Sequence, residues 1–276
     1  MVHIGGRFVE PEDAAVSVLD RGYLLGDGVF ATMRGYEGAC FRAARHLAEL
    51  ARGAAFFGID VPVPLPELAR LADEAAQRTG EANAYVRVTL TRGPVGGPPT
   101  LSIIARAMDV PSEAAYQRGV ATVTVTPRRI PPACLGTSVK TTSYAVQVLA
   151  RREVESKGAG EGIQLAVDGA LASGTMASLF VVAGEALLTP SLDSGCRAGI
   201  TREAILEIAP RHFTEVRQER LDPAVLAHAD EVFLASTRVE CLPVASVDDR
   251  RIGDGTFART HALRAALQAL VREGSP

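Results

Sequence analysis

Of the 29 basic residues in this chain, only two are lysines, Lys140 and Lys157. Arginine serves wherever a positive charge suffices, so a lysine marks a place where arginine would not do. A desolvated primary amine gives up its proton and attacks a carbonyl carbon to form a Schiff base; a guanidinium does not. Lys140 follows "RRIPPACLGTSV", whose Pro-Pro pair and glycine suggest a constrained loop. A helix is expected directly after it, through "SYAVQVLARREVESKG". A cation at a helix N-terminus opposes the macrodipole. Both points favour a required amine at 140. Lys157, in "ESKGAG", sits at the far end of that helix, where a cation suits the dipole and reads as structural.

Two segments could cradle an anion. In "CRAGITRE", Gly199 precedes a helix expected to start near Thr201, so free N–H groups and the Thr201 hydroxyl could hold a phosphate. In "LASTRVE", Ser236 and Thr237 follow a strand and offer two hydroxyls. Each pattern is common as a simple cap or turn. A Schiff-base lysine combined with phosphate cradles suggests pyridoxal 5'-phosphate. Arg34, Arg87 and Arg92 lie in apolar or strand contexts, where a guanidinium fork could grip a substrate carboxylate. Exposed strand arginines would look the same. His46 reads as a packed or solvated helix residue. No Ser/His/Asp set and no metal-ligand spacing stands out, so no metal is expected. Cys40, Cys134, Cys196 and Cys241 are far apart, which fits a reducing cytoplasm.

The elements that must position these groups alternate without strict βαβ order, which favours an α+β fold. "HIGGRFVEPEDAAVSV" reads as strand, turn at Glu10–Asp13, and strand. "RAARHLAELARGAAFFG" and "PELARLADEAAQRTG" read as helices ending at Gly58 and Gly80. "AYVRVTLTRG" and "TLSIIARAM" read as strands. These make a small α/β domain over 1–110. Polar, proline-bearing "DVPSEAAYQRG" reads as a linker, and a larger domain is expected over 119–276. There, "GIQLAVDGALASGTMASLFVV" reads as strand, Asp-Gly turn and strand, and "TFARTHALRAALQALVRE" as a terminal helix. The net charge of −3 and the absence of a basic tract argue against nucleic acid as a partner. Apolar runs stop short of membrane-spanning length, and "MVHIGGRFVE" does not read as a signal peptide.

Taken in order, these segments resemble the class IV aminotransferases. These are the fold type IV pyridoxal-phosphate enzymes that include branched-chain and D-amino-acid aminotransferases and aminodeoxychorismate lyases. The resemblance runs through "DRGYLLGDGVFATMRGYEG", "FRAARHLAEL", "VKTTSYAVQVLARREVESKGAGEGIQL", "GALASGTMASLF", "AGITREAIL" and "DEVFLASTRVECLPV". It implies two domains with the cofactor in the cleft between them, a homodimer, and an amino acid or keto acid as substrate. It places Lys140 on the Schiff-base lysine and Gly199, Ile200 and Thr201 on the phosphate site. Ser236 and Thr237 fall on the second phosphate-binding turn, Tyr144 near the cofactor ring and Phe30 facing the substrate. Ser173, Gly174 and Thr175 fall in the segment beside the pyridine nitrogen.

Several positions depart from the pattern. Ser173 stands where relatives carry the pyridine-nitrogen glutamate, and Glu49 where they carry a phosphate-binding arginine. Arg197 stands where they carry a leucine packed on the ring. A carboxylate keeps the pyridine nitrogen protonated and the ring a strong electron sink; a serine does so far less. Arg45, Arg52 and Arg197 are candidates to offset Glu49 at the phosphate. Three readings follow: an aminotransferase working through a Lys140 Schiff base, a lyase of the aminodeoxychorismate type, and a divergent binding protein that has lost the cofactor.

Overall fold

A computed structural model describes residues 1–136 and 139–274. Positions 137 and 138 of the loop expected before Lys140 lie outside the described residues, as do the last two of the expected second domain. Two compact units divide the chain: Met1–Val110 with 139–144 and 273–274, and 111–136 with Ala145–Arg272. The short segment bearing Lys140 therefore belongs to the first unit, not to the second where the linear reading put it. No described helix is long and apolar enough to cross a membrane.

The first unit carries strands β1 (Val2–Ile4), β2 (Arg7–Val9), β3 (Gly28–Tyr36), β4 (Ala39–Cys40), β5 (Asn83–Thr91) and β6 (Thr100–Ala107). They form one antiparallel sheet in the order β2-β1-β6-β5-β3-β4. Helix α1 (Arg21–Leu25) precedes β3, and helices α2 (Ala43–Phe56) and α3 (Leu65–Gln77) cross one face of the sheet. The period-two pattern of β5 explains which face is covered. Ala84, Val86, Val88 and Leu90 are buried with Leu47, Leu50, Leu68 and Ala72 of the helices, while Tyr85, Arg87 and Thr89 turn to the other side. The hairpin turn falls at Gly5–Gly6, with φ of 60° and 79°, where only glycine turns this tightly without strain. The turn expected at Glu10–Asp13 is present, as a 3-10 turn over Pro11–Asp13, but the strand expected after it is not: 14–18 form no strand.

The second unit carries β7 (Val120–Thr124), β8 (Glu161–Leu165), β9 (Leu171–Gly174), β10 (Ser178–Ala183), β11 (Ala186–Pro190), β12 (Glu215–Glu219), β13 (Glu231–Ser236), β14 (Glu240–Val247) and β15 (Arg250–Arg251). The mixed sheet runs β12-β11-β10-β13-β14-β7-β8-β9, with β15 on β14. Its helices are α4 (Glu113–Arg118), α5 (Ala145–Ser156), α6 (Ile200–Ile208) and α7 (Ala258–Arg272). Ile163, Leu179, Val181, Val232, Leu234 and Val244 form its core, beside Phe180 stacked on Phe233 at 4.9 Å. The segment read as a linker contains α4, capped by the Ser112 side chain and anchored by buried Tyr116, whose hydroxyl donates to Val239 O.

Candidate functional site

The Lys140 segment is held by backbone pairing. Phe30 N–H donates to Lys140 O at 2.8 Å, Thr142 N–H donates to Gly28 O at 2.9 Å, and Val29 bridges Thr141. Thr142 Oγ1 donates to Gly26 O at 2.9 Å. Gly26 has φ of 67°, and a Cβ there would strike the Ser143 side chain, so glycine lets 141–143 lie against the entry to β3. Helix α5 starts only at Ala145. The expected clash between Lys140 and a helix dipole is therefore absent, because bonds from Thr142 to Gly26 O and Gly28 O hold 141–143 outside the helix. Lys140 is placed as an extension of the sheet.

Four residues singled out in the sequence meet here. Lys140 Nζ lies 4.8 Å from the centre of the Phe30 ring, and the Arg87 guanidinium lies 3.6 Å over that ring. Tyr144 meets Phe30 edge-on at 5.3 Å. Phe30 is only 4% exposed and shares its face of the sheet with Arg87 and Thr89, opposite the face covered by α2 and α3. Arg87 stands opposite Thr32 on β3, and its Nε donates to Thr89 Oγ1 at 3.0 Å. Its two terminal nitrogens make no hydrogen bond among the described residues, which leaves the fork geometry suited to a carboxylate.

The other two arginines differ. Arg34 is buried on the same sheet; its Nε and Nη2 donate to Asn83 Oδ1 at 2.9 and 2.6 Å, and it lies over the Tyr36 ring. Arg92 is a strut. Its Nε donates to Asp27 Oδ2 at 2.7 Å, Nη1 to Gly58 O at 3.1 Å and Nη2 to Phe57 O. Arg21 also donates to Asp27, at 2.9 Å. Burial alone would raise the Asp27 carboxyl, but the hydrogen bonds from Arg92 and Arg21 hold it below the ordinary range. Arg92 thus closes β5 onto the end of α2 and is not proposed as a substrate grip. Sequence reading missed Asp20 as well: fully buried, it caps α1 and accepts from Thr91 and Thr100 at 2.8 and 2.6 Å. On α2, Glu49 lies 3.9 Å from Arg52, so that candidate arginine is engaged with the acid itself. The exposed Arg52 side chain makes this a weak pair.

In the second unit, Gly199 is the N-cap of α6 and no side chain caps it. The first N–H groups of the helix, at Ile200, Thr201 and Arg202, therefore point outward as an anion cradle. Glu203 N–H is the first to bond back, to Gly199 O at 2.9 Å. Arg202, buried beneath this turn, donates from Nη2 to Pro190 O at 3.0 Å. The preceding loop is pinned by Cys196, whose thiol points at Pro190 O and Ser191 O and is pushed up by burial. Arg197 follows it, half-buried. Ser236 ends β13, with its Oγ accepting weakly from Val239 N–H at 3.4 Å, and Thr237 is next to it.

Ser173, on β9, is 4% exposed and donates to Gly174 O at 2.7 Å. Gly174 N–H is spent on Ala177 O, and the buried Thr175 hydroxyl on the Glu161 carboxylate. Opposite Ser173 across the β8–β9 ladder stands Gln164. It is fully buried; its Nε2 donates to Pro127 O at 3.1 Å, and its Oε1 has no hydrogen-bond partner among the described residues. An unmet buried acceptor costs about 1–3 kcal/mol. In the sequence its signal is a lone glutamine inside the apolar run "GIQLAV". Among the described residues no cluster of His, Cys, Asp and Glu could hold a metal.

The profile of the Amino-transferase class IV family matches residues 28–247. The chain belongs to this family. A Methanocaldococcus jannaschii protein provisionally named a branched-chain-amino-acid aminotransferase is 33% identical, covering 92% of this chain and 90% of that protein. The aminodeoxychorismate lyase of Bacillus subtilis is 29% identical, covering 96% and 92%. The solved branched-chain amino acid aminotransferase of Escherichia coli superposes with a TM-score of 0.92 at 28% identity, covering 98% of this chain and 93% of that one. The class IV aminotransferase fold is thus fold type IV, as the ordered motifs implied.

Proposed function

We propose that this class IV aminotransferase moves the amino group of an amino acid to a keto acid, with Lys140 carrying pyridoxal 5'-phosphate as a Schiff base. The observation that carries the reading is the placement of Lys140. Sheet pairing fixes its backbone, and its amine lies beside the Phe30–Arg87–Tyr144 cluster. Two features of the second unit, taken by itself, support the reading. The uncapped start of α6 suits its phosphate, with Ile200 and Thr201 N–H as donors and Thr237 as a second contact. Ser173 suits the pyridine end, where Gly174 and Thr175 shape the strand without spare hydrogen bonds. When bound, the cofactor supplies an electron sink for electrons released at the substrate α-carbon. Lys140 Nζ takes and returns the proton on that carbon. Arg87 orients the substrate through a carboxylate, and Phe30 and Tyr144 wall the site.

The lyase reading is the second one, favoured by a specific residue. Ser173 offers no charge at the pyridine end, and a weaker electron sink is less damaging to an elimination than to transamination. We also infer a homodimer, supported by an exposed apolar run in the first unit: Val18, Leu19, Tyr23, Leu24 and Leu25 are 57–73% exposed. Four unpaired cysteines agree with a cytoplasmic location. The reading is tested by adding pyridoxal phosphate to purified protein and recording visible absorption. A yellow protein that yields a keto acid from an amino donor and a keto-acid acceptor supports transamination. Pyruvate released from an amino-chorismate substrate supports the lyase. A protein that stays colourless refutes both.

A further inference from the structure

We propose that Gln164 is a positioning residue that makes Ser173 a hydrogen-bond acceptor toward the cofactor's ring nitrogen, through a neutral relay that replaces a carboxylate. The inference rests on the reading of Ser173 as the pyridine end of the site. Gln164 and Ser173 are direct partners across an antiparallel ladder, so their side chains stand on one face, with Cβ atoms about 5 Å apart. Gln164 has one end fixed, its Nε2–H on Pro127 O, and the other end unmet. Ser173 has a single proton, now given to the carbonyl of its own neighbour, Gly174. A hydroxyl hydrogen rotates to suit its surroundings.

Counting donors and acceptors favours one direction for the relay. A protonated ring nitrogen needs an acceptor, and Ser173 Oγ can be one with its proton on Gly174 O, as it stands, or on Gln164 Oε1; only the second arrangement also satisfies the buried Oε1. Gln164 Oε1 is the buried acceptor with nothing to accept. The chain then reads ring N–H to Ser173 Oγ, Ser173 O–H to Gln164 Oε1, and Gln164 Nε2–H to Pro127 O. Every polar atom in it is engaged, and each bond polarises the next. The reverse direction, with Ser173 donating to an unprotonated ring nitrogen, leaves Oε1 unmet. The carboxylate of the same strand is not available instead. Glu161 is engaged by Thr175, by Gly162 N–H and by Arg151, and strand alternation turns it to the other face from Gln164. Gln164 is completely buried, so it acts through Ser173 and does not touch the ring.

The test uses the full-length protein loaded with pyridoxal phosphate carrying 15N at the ring nitrogen. NMR reads whether that nitrogen is protonated, independently of turnover. In the wild type the resonance is expected at the protonated position at neutral pH. Gln164→Met, of similar length and without an acceptor, is expected to move it toward the unprotonated position and to weaken cofactor binding roughly three- to tenfold. Ser173→Ala is a small change that guards against misfolding of the first variant. It should move the resonance likewise, and adding Gln164→Met to it should move nothing further. In Ser173→Glu, the ring should be protonated whether or not Gln164 is present. A resonance identical in wild type and Gln164→Met, or an unprotonated ring in the wild type, overturns the relay. If borohydride reduction leaves no cofactor on Lys140, the underlying reading has failed; if it does label Lys140 and the resonance does not respond, only the relay has.

Discussion

Three arginines that look alike in the sequence are expected to behave differently when each is replaced by methionine. Arg87 has its Nε on Thr89 and its terminal nitrogens open beside Phe30. Hydrogen bonds to a charged partner contribute about 1.5–3 kcal/mol. Losing a carboxylate grip of about 2–3 kcal/mol lowers kcat/KM roughly 30- to 150-fold. The surrounding β5 pairs through its backbone, so the melting temperature should barely move. Arg92 is the opposite case. Its replacement strips Asp27 of one of two arginines and leaves Phe57 O and Gly58 O without their donor. The Arg92 side chain is 36% exposed, and solvent screens the loss. We therefore assign only about 1–2 kcal/mol, a fall of roughly 2–8 °C in Tm. Arg34→Met leaves Asn83 Oδ1 unpaired and should lower both quantities. The assay is steady-state kinetics with one donor–acceptor pair, run beside thermal melts of all three variants. An Arg87→Met enzyme within threefold of wild type in kcat/KM would refute the reasoning. So would an Arg92→Met enzyme with weakened substrate binding and an unchanged Tm.

Further outcomes follow from other contacts. Because the folded-state value of Asp27 is lowered, its contribution to stability is fully present above the unfolded value near 3.8 and is lost as pH falls through the folded one. The Tm gap between wild type and Asp27→Asn should therefore be constant from neutral pH down to about 5 and shrink below 4; a gap that widens in acid contradicts this. Replacing exposed Leu24 or Leu25 by aspartate should shift the protein from dimer to monomer in analytical ultracentrifugation; a wild type that sediments as a monomer dismisses the apolar run as an interface. Tyr116→Phe, which leaves Val239 O without its buried donor, should lower Tm by a few degrees without altering cofactor uptake.

Much of the arrangement was legible in local signals. Helices α2 and α3 show clear periodicity and end two and three residues before Gly58 and Gly80, whose φ of 62° and 69° turn the chain away, and β5 alternates cleanly. Lys140 stood out by composition, Gly199 by its position before a helix. What failed was information carried between strands. Nothing near Lys140 announces that Thr142 would bond to Gly26 and Gly28 and delay the helix by several residues. Arg87 and Arg92 lie on the same strand reading, yet Asp27, 65 residues away, captures only one of them. Gln164 acquires meaning only from the register that sets it opposite Ser173. The charged strand β12, "EVRQE", pairs in parallel at the sheet edge and carries little apolar signal.

The central claim is that Lys140, and no other amine, carries the cofactor. Borohydride reduction of the protein loaded with pyridoxal phosphate, followed by proteolysis and peptide mass mapping, tests it directly. The account predicts one modified peptide, containing Lys140, and loss of both the label and the yellow colour in Lys140→Arg. A label on Lys157, or a yellow Lys140→Arg protein, would contradict it.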